Sequence, residues 1–381
     1  MEKIKNIEKV AQRIKEAMDK KEKIILYSDA DMDGTGSAVI LKETIEYLKG
    51  EVSFVYFPDR SEEGYGLNDE ALEFISQMGD KILLIVMDCG IANFDEALTA
   101  KRLGIELIII DHHQPHSRLP EASIIVDPKQ EGDNYPFKDF ANAGLIFYLA
   151  EEMTGDLFFE IRDSLSEIAA LSTIADMMKQ EDDNKDIIEE GLKNLEKTER
   201  AGLRTFWSQG IVNDEMSIRE IAQKIVSVFG ASGVIDHKTE AYNVLTSDDR
   251  KEMEETIKSL NKKNELKQAE VSNMVEEVRQ TVSDNDVLVF KGNKNWKVPF
   301  LGSAGSKIVA EMKLPVFLYR KGDKTSRGAV RMPQGFNAVD LMSQSSDILI
   351  EYGGHPPAAG FKILNENLIE FEQRLKDYFK K

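Results

Sequence analysis

The strongest constraint on the fold is a regular alternation, over the first 180 residues, of short apolar runs with segments of helical period. Five of these runs have the length and the β-branched composition of buried strands. They are Lys23–Ser28, Val52–Phe57, Ile82–Met87, Glu106–Ile110 and Ser123–Val126. Amphipathic segments at Ser37–Leu48, Asn68–Met78 and Asn93–Leu103 can return the chain as crossover helices, so neighbouring strands should run parallel. We therefore predict an α/β fold with a mostly parallel sheet and flanking helices.

The rest of the chain changes in composition near residues 180 and 280. Leu145–Thr173 is apolar nearly all round, which is typical of buried helices. The segment 181–280 is charged and of helical period, and it predicts a helical connector. A coiled coil in its last part is the alternative, although the apolar spacing is irregular for heptads. A smaller α/β pattern begins near Val287, so we predict three segments: 1–180, 181–280 and 281–381.

Composition limits the cellular setting and the metal chemistry. A chain of 381 residues exceeds the usual size of one domain. Its only cysteine, Cys89, excludes an intramolecular disulfide and a thiolate zinc cluster, and it suits a reducing compartment. The N-terminus lacks the apolar core of a secretion signal, and no apolar run reaches the roughly 18 residues that span a bilayer. We expect a soluble, cytoplasmic protein that does not bind membranes.

Acidic motifs follow three of the predicted strands. They are the segment Asp29–Asp33, which contains three aspartates, the single Asp88, and the triplet Asp111-His112-His113. In an open parallel sheet the carboxyl ends of the strands line one crevice, the usual position of a ligand site. Carboxylates that converge there repel one another unless cations neutralise them. The sequence therefore predicts bound divalent metal at this edge.

The ligand types indicate which metal and which reaction. Carboxylate and imidazole without sulfur suit Mn²⁺ first, with Mg²⁺, Co²⁺ or Zn²⁺ as alternatives. Two such ions roughly 3.5–4 Å apart can generate hydroxide and stabilise an in-line displacement at phosphorus. We therefore predict two divalent ions, with Mn²⁺ preferred, and hydrolysis of a phosphate ester. A lone strand-end aspartate such as Asp88 is more often a turn residue, and Asp29–Asp33 could instead form a calcium-type loop or a phosphate-binding turn.

The motifs, taken in order, resemble those of the DHH phosphoesterase superfamily in its RecJ-like exonuclease branch. They are Asp29, Asp31 and Asp33 in a DxDxDG motif, Asp88 in VMDCG, the triplet Asp111, His112 and His113, and Asp176 in LSTIADM. The stretch from Val126 to Ala150 also resembles that branch, and the similarity extends over nearly the whole chain. The resemblance implies that 1–180 is a metal-binding DHH domain and that 281–381 is a substrate-binding DHHA1 domain.

The resemblance also implies roles for the motif residues. Asp31 and Asp88 would hold one metal, with Asp29 replacing a histidine that many members carry where this chain has Tyr27. Asp33, Asp88, His112 and Asp176 would hold the other metal, so Asp88 would bridge the two. Asp111 would orient His112, and His113 would face the scissile phosphate. The catalytic residues implied are Asp88, Asp111, His113 and His355.

A glycine-rich motif near the C-terminus, YGGHPPAAGF, resembles the GGH motif of DHHA1 domains. Gly353 and Gly354 would allow phosphate to approach the backbone, and His355 would donate to its oxygens. Arg331 matches an arginine of the same domain and would clamp phosphate, together with His113 on the metal side. Glycines in a turn are also common for conformational reasons alone.

The predicted activity is that of a RecJ-like exonuclease on single-stranded DNA or RNA. The sequence ends one helix after the GGH motif, without the oligonucleotide-binding barrel of bacterial RecJ, and Phe229–Val234 lacks the arginine of a typical NAAGR segment. Both features resemble compact archaeal-type homologues, imply weaker grip on long DNA, and suggest a replication partner of the GINS type.

Several alternatives stay open. The net charge of −19 opposes a polyphosphate substrate and favours a nanoRNA or cyclic-dinucleotide phosphodiesterase, unless a local basic groove lies near the site. An inorganic pyrophosphatase fits less well because that branch lacks a GGH motif. A catalytically weak replication scaffold is the alternative of another class, which the full set of ligand-type residues opposes. Polarity of digestion and oligomeric state are not predicted.

Overall fold

The computed structural model describes residues 2–283 and 285–380, apart from the side chain of His355. The chain forms two compact units, Met1–Asn264 and Glu265–Lys381, which we call unit 1 and unit 2. The division into 1–180, 181–280 and 281–381 with separate functions stays a prediction.

Unit 1 is built on a five-stranded sheet in which every pairing is parallel. Its strands are β1 (Lys23–Ser28), β2 (Phe54–Tyr56), β3 (Ile82–Met87), β4 (Glu106–Ile110) and β5 (Ile124–Val126), in the order β2-β1-β3-β4-β5. The reversal of order beside β1 places the first strand in the interior of the sheet. The predicted parallel α/β fold is confirmed.

Helices cover both faces of this sheet. In chain order they are α1 (Ile7–Lys20), α2 (Met32–Tyr47), α3 (Asp69–Ser76), α4 (Phe94–Arg102), α5 (Asn142–Thr154), α6 (Arg162–Ala175), α7 (Asp182–Leu195), α8 (Ala201–Ser208), α9 (Ile218–Phe229) and α10 (Glu240–Thr246). A 3₁₀ turn at Gly155–Glu160 joins α5 to α6, and a short hairpin, β6 (Val234–Ile235) with β7 (Lys238–Thr239), precedes α10.

Burial on both faces explains the near-continuous apolar strands. Successive side chains of β3 point to opposite sides, so Leu83 and Ile85 lie in one hydrophobic cluster while Leu84 and Val86 lie in another. All six residues of β3 are buried. The first cluster also contains residues from α7 to α10, so most of the predicted connector belongs to the core of unit 1.

Helix α2 begins earlier than its apolar period predicts. The period suggested a start at Ser37, but the helix begins at Met32 because the Asp31 side chain caps it, accepting from the amides of Asp33 and Gly34. The acidic motif therefore runs into the helix, with Asp31 as the N-cap and Asp33 in the first turn. This start fixes the directions in which its carboxylates point.

Unit 2 contains a second five-stranded sheet of mixed direction. Its strands are β8 (Val289–Asn293), β9 (Val316–Lys321), β10 (Thr325–Arg331), β11 (Leu349–His355) and β12 (Ala358–Leu364), in the order β11-β12-β10-β9-β8. Only the pair β8 and β9 is parallel. The helices are α11 (Arg250–Arg279), which begins within unit 1, α12 (Val298–Met312), α13 (Ala338–Ser343) and α14 (Leu368–Phe379), with a 3₁₀ turn at Asn365–Asn367.

Among the described residues, none of the helices combines the length and the apolar composition needed to cross a bilayer.

Helices α6 and α7 pack so closely at Gly191 that we expect substitution of this glycine to destabilise unit 1. A Cβ atom on Gly191 would lie 2.2 Å from the carbonyl oxygen of Ser166 and 2.4 Å from the Cβ of Ala170. We expect Gly191→Ala to lower the free energy of unfolding by about 1–3 kcal/mol, since backbone must move to accept the methyl group. Urea denaturation measures this, with Lys193→Ala on the exposed face of α7 as the control. A Gly191→Ala protein as stable as Lys193→Ala would show that the two helices separate freely.

Candidate metal centre

The strand ends of unit 1 bring acidic side chains to one edge of the sheet. Asp29, Asp88 and Asp111 follow β1, β3 and β4 directly, and all three are buried. Asp88 adopts a left-handed backbone conformation with φ of 59°, and its amide donates to the carbonyl of Ile110 at 3.1 Å. This turn ends β3 and directs the Asp88 carboxylate into the crevice.

Asp33 is held by the N-terminus of α5. Its two carboxylate oxygens accept from the amides of Asn142 at 2.6 Å and Ala143 at 2.9 Å. These amides have no partner within their own helix, and the helix dipole favours negative charge at this end. Helix α5 therefore fixes a carboxylate that is almost wholly buried.

The imidazole of His112 lies at the centre of the acidic cluster. Its Nε2 is 3.1 Å from an oxygen of Asp88, 3.8 Å from Asp176 Oδ2 and 3.9 Å from Asp33 Oδ2. Asp176 lies just beyond the last residue of α6. Residues distant in sequence thus converge on one ring nitrogen.

The opposite nitrogen of this ring decides its protonation. His112 Nδ1 lies 2.8 Å from the carbonyl oxygen of Phe140, which can only accept, so we infer that Nδ1 carries the proton. Burial lowers the pKa of His112 to about 3, which favours the neutral ring. Its Nε2 lone pair then faces carboxylate oxygens, an arrangement of acceptors without a donor. A cation between them would satisfy every partner.

Asp176 gives an independent indication of a cation. Its Oδ2 is buried and has no hydrogen-bond partner among the described residues. A buried carboxylate oxygen without a partner is costly, and metal coordination is one of the few ways to stabilise it. The donor set around this atom, oxygen and imidazole without sulfur, fits Mn²⁺ or Mg²⁺.

Two metal-sized groups of ligand atoms are present. Asp33, His112 and Asp176 form one group, and Asp29, Asp31 and Asp88 form another, each with its atoms within 4.8 Å of one another. Asp88 also groups with His112 and His113, so it lies beside both sets. The six predicted ligands are therefore brought together at one edge of the sheet, and their assignment to individual ions stays a prediction.

Burial and, after it, repulsion between neighbouring carboxylates raise the pKa of several of these acids. Burial raises the pKa of Asp88 well above its usual value, and the charges of Asp31 and Asp33 raise it further. Burial and then Asp176 and Asp31 act in the same direction on the pKa of Asp33. The pKa of Asp176 is raised to about 7 by burial and by Asp31. The acids thus disfavour full ionisation together unless positive charge is added.

The predicted role of Asp111 requires a correction. Its Oδ1 does accept from the backbone amide of His112 at 2.8 Å, but the ring nitrogen it binds is His113 Nδ1, at 2.7 Å. The His112 ring is oriented by Phe140 instead. Adjacent histidines point in different directions, and the strand-end carboxylate reaches only the second ring.

His113 is accordingly the supported imidazole of the pair. Burial lowers its pKa, but the hydrogen bond and charge of Asp111 outweigh this and raise the pKa overall. Burial likewise raises the pKa of Asp111, yet His113 more than offsets this and holds that pKa below its usual range. The result is a carboxylate and imidazole pair in which the ring favours its charged form.

Two residues of the site were missed by the sequence analysis. Arg60 donates through Nε to Asp29 at 2.7 Å and through Nη2 to Asp31 at 2.9 Å. The hydroxyl of Tyr65 lies 3.2 Å from the carbonyl of Asp88 and 3.3 Å from His113 Nε2. Both residues are in the loop after β2, and a parallel sheet places that loop at the same edge as the motifs. That placement is the signal that could have found them.

Two more residues missed in this way follow β5. Lys129 donates from Nζ to the backbone carbonyl of His112 at 2.5 Å. Asp127 is fully buried, accepts from the amide of Lys129 at 2.7 Å, and leaves Oδ2 without a partner among the described residues. Burial raises the pKa of Asp127 to about 7. The end of β5 thus extends the polar edge of the sheet.

The remaining predicted site residues lie in unit 2. Arg331 is half-buried, donates through Nε to Ser306 Oγ at 3.1 Å, and packs close to Gly302. Gly354 has φ of 140°, and a Cβ there would lie 2.5 Å from the carbonyl oxygen of Ala358. The backbone conformation and the lack of space alone therefore explain a glycine at this position. Gly353 has open space around it. The side chain of His355 lies outside the described part of the chain.

Comparisons with known proteins agree with this architecture. Residues 23–178 match the DHH family, N-terminal domain. The single-stranded-DNA-specific exonuclease RecJ of Bacillus subtilis (strain 168) is 34% identical, over 98% of this chain and 48% of that protein. RecJ of Thermus thermophilus is 26% identical, over 98% of this chain and 54% of that protein. A crystal structure of exonuclease RecJ bound to manganese has a TM-score of 0.81 at 25% identity, covering 100% of this chain and 95% of that one.

The parallel sheet of unit 1 carries aspartates and a histidine pair at its strand ends, within the segment that matches the DHH family. Residues 23–178 form a domain of the DHH family, and the chain as a whole is similar to RecJ exonucleases. It spans about half the length of the two curated relatives named above, 48% and 54%.

Because Arg60 pairs with Asp29 and Asp31, we predict that the effect of replacing it on protein stability depends on whether metal is bound. Without metal, Arg60→Gln removes the positive charge beside Asp29, and we expect a loss of about 1–2 kcal/mol in unfolding free energy, reduced by the exposure of the guanidinium. With excess Mn²⁺ the loss should shrink, because bound cations neutralise the same carboxylates. Urea denaturation in EDTA and in Mn²⁺ measures both values.

Arg60→Lys is the control for this experiment, since it keeps the charge and should lose less stability in EDTA. Equal losses for Arg60→Gln with and without Mn²⁺ would contradict the idea that cations and the guanidinium neutralise the same acids.

Proposed function

We propose that this protein is a RecJ-like, metal-dependent exonuclease that hydrolyses phosphodiester bonds in single-stranded DNA or RNA. The observation that carries the proposal is the set of acceptor atoms around His112 Nε2, including Asp176 Oδ2, which lacks any described hydrogen-bond partner. A cation would satisfy every acceptor of this set at once. Similarity to RecJ exonucleases supports the substrate class.

The ligand assignment follows the two groups of atoms. Asp29, Asp31 and Asp88 would hold one divalent ion, and Asp33, His112 and Asp176, with Asp88 beside them, would hold the other. Two such ions, when bound, supply an activated water and neutralise charge that develops at phosphorus. Mn²⁺ is the preferred ion, with Mg²⁺ or Co²⁺ as substitutes.

His113 and Asp111 act beside the ions on the substrate. Asp111 favours the charged form of the His113 ring and holds the ring in place through the 2.7 Å hydrogen bond to Nδ1. The charged ring then offers Nε2, which Tyr65 also approaches, as a donor to a phosphate oxygen. In this role His113 stabilises the charge that accumulates on the phosphoryl group.

Unit 2 supplies further substrate contacts in this proposal. Arg331 clamps a phosphate, Gly353 lets the backbone approach it, and His355 donates to it. Support comes from the position of Arg331, whose guanidinium meets no carboxylate among the described residues. A protein partner of the GINS type and a cytoplasmic location complete the proposal.

The first test measures whether hydrolysis depends on metal. It compares a variant of the candidate ligand Asp88 with a control variant of Asp80. EDTA should abolish hydrolysis of end-labelled single-stranded DNA and RNA, and Mn²⁺ should restore it. Asp88→Ala should lower the rate by at least about 10³-fold, because a ligand beside both ions is lost. Asp80→Ala, an exposed residue near the opposite end of β3, should match the wild type. The readout is product length on a denaturing gel.

Two outcomes would contradict the proposal. Full activity after thorough chelation would exclude the metal mechanism. Hydrolysis confined to dinucleotides or pyrophosphate across a series of oligonucleotide lengths would exclude the exonuclease and favour a small-substrate phosphoesterase.

The second test separates the two histidines. His112→Ala should weaken Mn²⁺ binding about 10-fold or more, since it removes a ligand. His113→Ala should keep Mn²⁺ affinity and lower kcat about 10²-fold, the usual effect of losing one donor at a developing oxyanion. Calorimetric titration with Mn²⁺ and steady-state kinetics on one oligonucleotide give both quantities. Loss of Mn²⁺ binding in His113→Ala would make that ring a ligand instead.

A further inference from the structure

An exposed arginine lies on an aromatic ring beside the metal centre. The guanidinium of Arg118 lies over the ring of Phe94, 4.5 Å from its centroid, and the ring of His116 meets the edge of Phe94 at 5.6 Å. Arg118 and His116 are exposed, and Phe94 is partly exposed. We call these three residues the Phe94 cluster.

Two segments of the chain connect the Phe94 cluster to the metal centre. Phe94 is the first residue of α4, three residues after Ile91, whose amide donates to Asp111 Oδ2 at 3.0 Å. His116 and Arg118 follow His113 by three and five residues in the loop after β4. Five residues of extended chain reach at most about 18 Å, so Arg118 lies within a few nucleotides of the site.

Arg118 is one of the described arginines that form no ion pair. Others do form ion pairs, as Arg13, Arg162 and Arg374 show. No described carboxylate lies within ion-pair distance of Arg118, even though Asp95 and Glu96 are in the first turn of α4. In a chain with a net charge of −19, an arginine without an acidic partner next to an anion-processing site points to an anionic ligand.

The stacking also prepares the arginine for that ligand. A guanidinium placed on a ring uses its flat face and keeps its N–H groups in the plane free to donate. The ring restricts the side chain before binding, so less conformational entropy is lost when a phosphate is bound. His116 and Phe94 add aromatic surface on which a base can stack.

We infer that the Phe94 cluster binds the backbone phosphate of a nucleotide next to the one being hydrolysed, with Arg118 as the donor. This inference rests on the proposed function and adds to it a substrate contact outside the metal ligands. It gives the acidic chain the local positive charge that a polyphosphate substrate requires. The contact should matter for oligonucleotides and not for a dinucleotide, which is too short to reach it.

The test uses substrate length and salt together. In Mn²⁺, Arg118→Gln should lower kcat/KM for a dodecathymidylate about three- to tenfold at low salt, mainly through KM, and should change a dinucleotide less than about twofold. Between about 50 and 200 mM salt, the slope of log kcat/KM for the dodecamer should become shallower by about 0.7, the loss of one phosphate contact. Arg118→Lys should restore most of the salt slope because it keeps the charge.

Arg102→Gln is the matched control, because Arg102 is exposed at the other end of α4 and donates to Thr99 instead. An Arg118→Gln enzyme with the wild-type salt slope, or with equal losses on both substrates, would overturn the inference while leaving the exonuclease proposal intact. A wild type that hydrolyses no oligonucleotide in Mn²⁺ would overturn both.

Discussion

The main physical constraint on unit 1 is the mutual repulsion among its buried carboxylates, which the rest of the fold must offset. Asp33, Asp88 and Asp176 lie around one imidazole nitrogen, and burial together with their neighbours raises the pKa of each. A fold that buried these groups without compensation would be unstable. Two parts of the structure therefore stabilise the negative charge: the N-terminus of α5 at Asp33 and Arg60 at Asp29.

The parallel sheet explains why so much of this site could be predicted from sequence. Strand β3 was predicted with its observed bounds, Ile82–Met87, because its six apolar residues are flanked by polar residues that mark both ends of the strand. Once neighbouring strands run parallel, the residue after each strand must lie at one common edge, so Asp29, Asp88 and Asp111 had to meet. The candidate metal ligands follow from topology and chemistry together.

The features that escaped prediction depend on loops and on side-chain direction. Arg60 and Tyr65 are in an irregular loop with no motif, and only the three-dimensional path of that loop brings them to Asp29 and His113. Asp111 binds the ring of His113 and not that of His112 because the two rings are oriented differently. A sequence motif does not reveal the orientation of a ring. The early start of α2 depends on a single capping carboxylate, Asp31, whose effect overrides the apolar period.

The two histidines show how one motif can divide two tasks. His112 is buried, neutral and directed inward by a carbonyl that can only accept. His113 is partly exposed and bound to a carboxylate that favours its charged form. A metal ligand must offer a lone pair, whereas a group that stabilises phosphate must offer a proton, so the opposite partners of the two rings suit the two different functions proposed for them. Exchanging those partners would give a charged ring among cations and a neutral ring before an anion, and both would oppose binding. The identity of the atom behind each ring, a carbonyl or a carboxylate, therefore matters as much to the proposed reaction as the histidine itself.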